Sequence, residues 1–175
     1  MIRSYRGKTP KIHPTAFVSE AAYIIGDVEI GEYSSVWPGT VIRADVGKIV
    51  IGKHTNIQDN CVVHADHDAR MGDNCTLGHS VTWHGRILGD NSLVGNGSVA
   101  NDGVETGPFC IIAAGSVVLE ETKIPERSIV RGIPGKVAGS IEERHVQLIQ
   151  GTARSYSNKA QLFKAEGLGD PSLPK

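Results

Sequence analysis

Aromatic side chains are scarce in this sequence, at 5% of 175 residues. That excludes an ordinary mixed core packed around large rings. Neither sign of charge is in excess, with 18 Lys+Arg against 19 Asp+Glu. No basic block suggests nucleic acid, and no apolar run reaches the roughly 20 residues needed to span a bilayer. The opening Met1-Ile2-Arg3-Ser4-Tyr5 lacks the apolar stretch of a signal peptide. The expectation is a cytoplasmic protein without nucleic-acid or membrane partners. Cysteine is also rare, three residues with no C-x-x-C pair, so neither a disulfide framework nor a thiolate metal site is expected. Glycine is plentiful: 21 residues, spread regularly rather than gathered into linkers. In a chain of single-domain length, small repeated side chains must then fill the interior, and a repeat is the feature to look for.

A repeat is present. An aliphatic residue followed by a turn-type residue recurs about every six positions: Ile24, Ile30, Val36, Ile42, Ile51, Ile57, Val63, Met71, Leu77, and on through Trp83 and Leu88 to Val118. Three gaps depart from six: Ile42 to Ile51 is longer by three, Val63 to Met71 longer by two, and Trp83 to Leu88 shorter by one. Glycine often follows the aliphatic mark, as in Gly72-Asp73-Asn74 and Gly89-Asp90-Asn91; these are turn sequences. Two positions before the mark stands a small residue, among them Ser34, Thr40, Thr55, Cys61, Cys75, Ser92 and Cys110. Period-two alternation turns both toward one face. Each hexad is therefore a short strand with one large and one small inward side chain. Three such strands around a triangle, about 18 residues per coil, bury what one strand cannot.

This pattern resembles the hexapeptide-repeat family, and the resemblance implies an all-β fold, a left-handed parallel β-helix with a C-terminal α-helix. The handedness comes from the resemblance alone, since crossovers are ordinarily right-handed. The β-helix is expected over 1–137, a helix packed on it over 138–166, and a mobile tail over 167–175. Ile124-Pro125-Glu126 and Gly132-Ile133-Pro134-Gly135 interrupt the repeat, and Ser140-Ile141-Glu142-Glu143 reads as a capping box. Gly151 weakens the middle of the helix.

The cysteines occupy small inward slots and read as core residues. The histidines divide. His54 and His145 fall on exposed positions without partners nearby in sequence. His64 and His84 each follow a mark on the same face in successive coils, with Arg43 one coil earlier, so the three should stack along one edge. His79 lies on the neighbouring corner, a full triangle side away, with Gln58 and Asp59 one coil from it. A threefold trimer would bring that corner of one subunit against the His64–His84 edge of the next. Three neutral imidazoles with an open fourth position is the catalytic zinc pattern. Asp59 would face Arg43 across the same interface.

The segments Val41-Ile42-Arg43-Ala44-Asp45, Asn56-Ile57-Gln58-Asp59-Asn60, Val63-His64, Gly78-His79 and Trp83-His84-Gly85 resemble the γ-class carbonic anhydrases. The resemblance implies His64, His79 and His84 as metal ligands and Arg43 with Asp59 as an interfacial ion pair, Asp45 beside them. It implies Gln58 as the hydrogen-bond partner of metal-bound solvent. The implied activity is reversible hydration of carbon dioxide to bicarbonate by hydroxide activated on zinc, with iron or cobalt as other imidazole-binding metals, in a homotrimer with interfacial sites. The chain departs from the best-characterised members in lacking acidic-loop glutamates: Val46 follows Asp45, and the loop after His64 is Ala65-Asp66-His67-Asp68-Ala69-Arg70. His67 is a candidate proton carrier there. Two further readings stand beside this one: a hexapeptide-repeat acyl-CoA acyltransferase, to which Gly132–Val137 also bears a likeness, and a catalytically silent metal-binding homologue.

Overall fold

The computed structural model describes residues 1–173. Short strands pair almost entirely in parallel, each with the strand one coil earlier and one coil later, in a 12-stranded and an 8-stranded sheet. The result is a β-helix of three faces. On the first, Ile24, Ile42, Val63, Trp83, Ala100 and Val118 stand in register. On the second, Ile12, Ile30, Ile51, Met71 and Leu88 do so. The third aligns Val18, Val36, Ile57, Leu77, Val94, Ile112 and Val130. From Ile24 onward every one of these marks is buried in a single continuous core, and the small slots at Ser34, Thr40, Thr55, Cys61, Cys75, Ser92 and Cys110 are buried with them.

Small inward residues also satisfy the backbone. Thr40 donates to the Gln58 carbonyl at 2.7 Å and Thr55 to the Gly72 carbonyl at 2.7 Å, so hydroxyls inside the core are paired with the next coil. Corner residues take left-handed backbone conformations even without glycine, as at Tyr33, His54, Asn74 and Asn91. The three irregular gaps all fall at the corner joining the first face to the second. Strands Tyr23–Ile30 and Val41–Ile51 run continuously around it, and the register resumes beyond it, Ile51 on Met71 and Met71 on Leu88.

Some expectations need correction. The repeat is not interrupted at Ile124-Pro125-Glu126: Lys123–Ile124 pairs with Glu105–Thr106, and Ser128–Arg131 extends the third face. Lys136–Ser140 then folds back antiparallel on Ser128–Arg131, so a strand crosses the boundary expected at 137/138 and closes the end of the stack. Ser140 belongs to that strand rather than to a cap. Helix α1 spans Glu143–Ala165 with Glu142 as its N-cap, whose backbone N–H donates to His145 Nδ1 at 3.0 Å. The helix runs through Gly151 unbroken. It covers the third face: Phe17 and Trp37 pack 5.2 Å apart, with Tyr156 and Phe163 edge-on to Trp37. Four of the nine aromatics of the chain meet at this contact. His54, expected to be alone, stacks on Tyr33 at 5.2 Å and meets Ser157 of α1. Of the expected tail, 174–175 lie outside the described residues; Gly169 bridges to Ser19, and Asp170 is buried.

Candidate metal centre

The edge at the end of the first face is built by alternation. Val63 and Trp83 point into the core, so the next residue of each strand points out. Arg43 and His64 are register partners, and His84 follows one coil later. His64 Nδ1 lies 3.0 Å from His84 Nε2, with ring centroids 5.0 Å apart. Trp83 anchors His84 tightly. A Cβ on Gly85 would lie 2.8 Å from the Trp83 ring, so only glycine leaves the indole its place.

Carboxylates surround the pair. Asp45 Oδ1 is 3.0 Å from His64 Nε2, and its other oxygen pairs with Arg43. Burial pushes the Asp45 carboxyl up, but hydrogen bonds from Arg43 and His64 outweigh it and hold the group below its ordinary value. Asp66 reaches over the edge, 3.9 Å from His64 Nε2 and 3.8 Å from His84 Nε2. One donor atom each from His64, Asp66 and His84 lies within 4.8 Å of the others. Two imidazoles and a carboxylate at that spacing suit a divalent transition metal, so the donor set fits the ion that the sequence resemblance implies.

His79 is elsewhere in the same chain. It sits at the corner after the third face, its Nδ1 2.9 Å from Asp59 Oδ2, with both side chains half exposed. The structure thus brings together His64, His84, Arg43 and Asp45 on one edge, and His79 with Asp59 on another. Arg43 is matched to Asp45 and Asp59 to His79 within the chain. Gln58 is buried near the second group, where its Nε2 donates to Asn56 Oδ1 at 3.1 Å. Asn56 Nδ2 in turn donates to Thr76 Oγ1 at 2.8 Å and faces the Cys75 carbonyl at 3.3 Å. A carbonyl only accepts, so this chain orients both amides and leaves Gln58 Oε1 as the remaining acceptor.

Two residues beside the edge were not singled out from the sequence. Asp66 was only part of a short loop, although it stands two residues past His64. Asp102 follows the coil that stacks on Trp83, and its Oδ1 lies 3.4 Å from His84 Nδ1. His67, the candidate proton carrier, turns its Nε2 toward that same oxygen at 3.1 Å.

Comparison with known proteins adds four findings. A family model described as the hexapeptide repeat of succinyl-transferase matches residues 69–101 and 87–120. The carbonic anhydrase of Geobacillus kaustophilus is 41% identical over 167 residues, covering 94% of this chain and 92% of that protein. The mitochondrial γ carbonic anhydrase 1 of Arabidopsis thaliana is 38% identical over 167 residues; the match takes in 91% of this chain but only 61% of the length of that relative. Among solved structures, a hexapeptide transferase family protein from Anaplasma phagocytophilum superposes with a TM-score of 0.89 at 36% identity, covering 93% of this chain and 97% of the other.

Proposed function

The chain belongs to the γ-class carbonic anhydrase-like family of hexapeptide-repeat proteins, and from that premise we propose that it catalyses reversible hydration of carbon dioxide to bicarbonate at a metal centre shared between subunits of a homotrimer. The observation that carries the reading is the separation of the histidines: His64 and His84 meet on one edge, while His79 stands on another corner with Asp59. One chain supplies two imidazoles to a site and a second copy supplies the third. The half-exposed Arg43 and Asp59 then face each other where the copies meet. Zinc, iron and cobalt all accept such ligands. Cytoplasmic placement remains part of the proposal; no described helix is long and apolar enough to cross a membrane.

The chemistry such a metal supplies when bound is Lewis acidity, which lowers the pKa of a water to about 7 and makes hydroxide available at neutral pH. The rest falls to side chains. Gln58, its amide nitrogen held by Asn56, offers Oε1 as an acceptor to orient the attacking oxygen. Asp45 holds His64 from behind and keeps Arg43 in place. With the metal held by His64 and His84 and by His79 of a second copy, the hydroxide it supplies would add to carbon dioxide to give bicarbonate, and the proton lost from water would pass to solvent buffer.

An acyl-CoA acyltransferase is the second reading, favoured by the likeness to the Anaplasma transferase-family structure. Mixed trimers separate the two. His79→Ala subunits and His84→Ala subunits, each inactive alone, should recover part of the hydration activity when mixed and exchanged. An interface that joins the intact His84 edge of one to the intact His79 corner of the other carries all three ligands. No recovery after verified exchange in zinc would sink the shared site. Acyl-CoA turnover insensitive to chelators would instead establish the transferase, and metal binding without hydration would mark a silent homologue.

A further inference from the structure

Two buried polar atoms beside His84 are left without a role by the site as described. Asp102 Oδ1 and His67 Nε2 are closed off from solvent, and neither makes a hydrogen bond among the described residues. They lie 3.1 Å apart, and the same carboxylate oxygen is 3.4 Å from His84 Nδ1. A buried carboxylate oxygen with no donor is costly, so an arrangement that retains one calls for a reason. We propose that Asp102 is the positioning residue for His84: its carboxylate receives the Nδ1 proton of His84 and leaves Nε2 as the free lone pair on the side of His64, while His67 covers the same oxygen. This rests on the reading of the edge as a metal centre.

The argument is one of donors and acceptors. A carboxylate accepts only, and a neutral imidazole carries its proton on one nitrogen and its lone pair on the other. With the proton held at Nδ1, the lone pair is at Nε2, the nitrogen already 3.0 Å from His64. A ring not held in this way divides its population between two tautomers, only one of which binds. Carboxylate support of a ligating imidazole also raises its basicity, and its loss commonly costs 10–100-fold in metal affinity.

The fold holds Asp102 and His67 from opposite sides. Asp102 lies two residues past Ala100, which is in register with Trp83, and Gly103 turns the chain directly after it with φ +67°. His67 arrives on the 64–68 loop, which rests on the coil beneath. A Cβ on Gly47 would lie 2.1 Å from the His67 carbonyl, so the loop settles this close only over glycine. Asp68 of the same loop accepts the Lys48 backbone N–H at 2.8 Å.

The test uses the full chain with Asp102→Leu and the nearly isosteric Asp102→Asn. Zinc affinity is read by competition with a chromophoric chelator, and the His84 tautomer of the metal-free protein by long-range 1H–15N NMR. Wild type should show the Nδ1–H form. Asp102→Leu should show a mixture and bind zinc about 10–100-fold more weakly. Asp102→Asn keeps an acceptor oxygen, so it should hold the tautomer while losing affinity by about fivefold or more, within that range or just below it; it carries the test if the leucine variant does not fold. A pure Nδ1–H tautomer in Asp102→Leu, or zinc binding by Asp102→Asn within about twofold of wild type, overturns the proposal. His84→Ala runs alongside. If it binds zinc as wild type does, the reading of the edge as a metal centre fails; if it loses zinc while the Asp102 variants do not, only the role of Asp102 fails.

Discussion

His64 and His84 are 20 residues apart in the chain and 3.0 Å apart in space, Nδ1 to Nε2. That closeness is a consequence of the core. Val63 stacks on Trp83 in exact parallel register, and each histidine is the next residue outward. Removing either imidazole leaves the core untouched. We therefore expect His64→Ala and His84→Ala to fold with melting temperatures near wild type but to lose bound metal, measured by elemental analysis after dialysis, and to lose hydration activity by at least about 100-fold, the loss expected when a ligand essential to a metal-assisted step is removed. Chelation of the wild type should do the same, reversed by adding zinc.

Arg43 tests the assembly. Its guanidinium pairs with Asp45 within the chain and stands half exposed, available to Asp59 of a second copy. In the proposed trimer, Arg43→Ala would leave carboxylates without their cation where two copies meet, and breaking a pair buried by that contact costs about 3–5 kcal/mol. Sedimentation equilibrium should show dissociation at concentrations where wild type is trimeric. A trimer as tight as wild type would remove Arg43 from the interface.

The cysteines make a prediction about alkaline pH. Burial pushes the Cys75 thiol up to about 12 and the Cys61 thiol up to about 11, from an ordinary 9.0. The folded chain therefore keeps protons that the unfolded chain releases. Their contribution to stability is full below pH 9 and is lost as pH climbs from 9 toward 11 and 12. Urea titrations should show a falling midpoint across that window, with a shallower fall in Cys75→Ala. At pH 8, Ellman's reagent should leave the native protein unmodified and react with three thiols once guanidinium unfolds it.

Trp37 is the centre of the contact between α1 and the third face. Trp37→Ala should cost about 3–5 kcal/mol, as large-to-small changes of buried aromatic residues do. Hydrogen exchange should then rise in 143–165 while the coil under Val63 and Trp83 stays protected. Equal loss of protection throughout would mean that helix and coil unfold as one.

The coil was legible because its rule is local: a large inward residue, a small one two places earlier, a corner. Adding three hexads gave the stacking of Ile42, Val63 and Trp83, and from that the meeting of His64 with His84. What escaped lies where the rule lapses. The 64–68 loop follows no hexad, so Asp66 and His67 could not be assigned a direction. Asp102 sits just past a mark, where the chain turns. At the far end, proline at Pro125 suggested a break, yet a β-helix corner accommodates proline because no strand hydrogen bond is needed there. The helix cap moved from Ser140 to Glu142 because Ser140 is drawn into pairing with Ser128. No hexad rule anticipates an antiparallel return.

The corner between the first and second faces takes up every irregular gap in the repeat, and it is the corner that follows the histidine edge. It works as an expansion joint. Residues can be added between His64 and Met71 while Met71 still lands on Ile51 and Leu88 on Met71. The stacked anchors and the overhang above them are thereby separable parts of the design. Lengthening or shortening 65–68 changes which groups reach over the imidazoles, and what can approach them, without shifting the register of Val63 and Trp83 that carries them. A graft at this joint would alter access to the edge in one step, with the stacked marks on either side of it still in register.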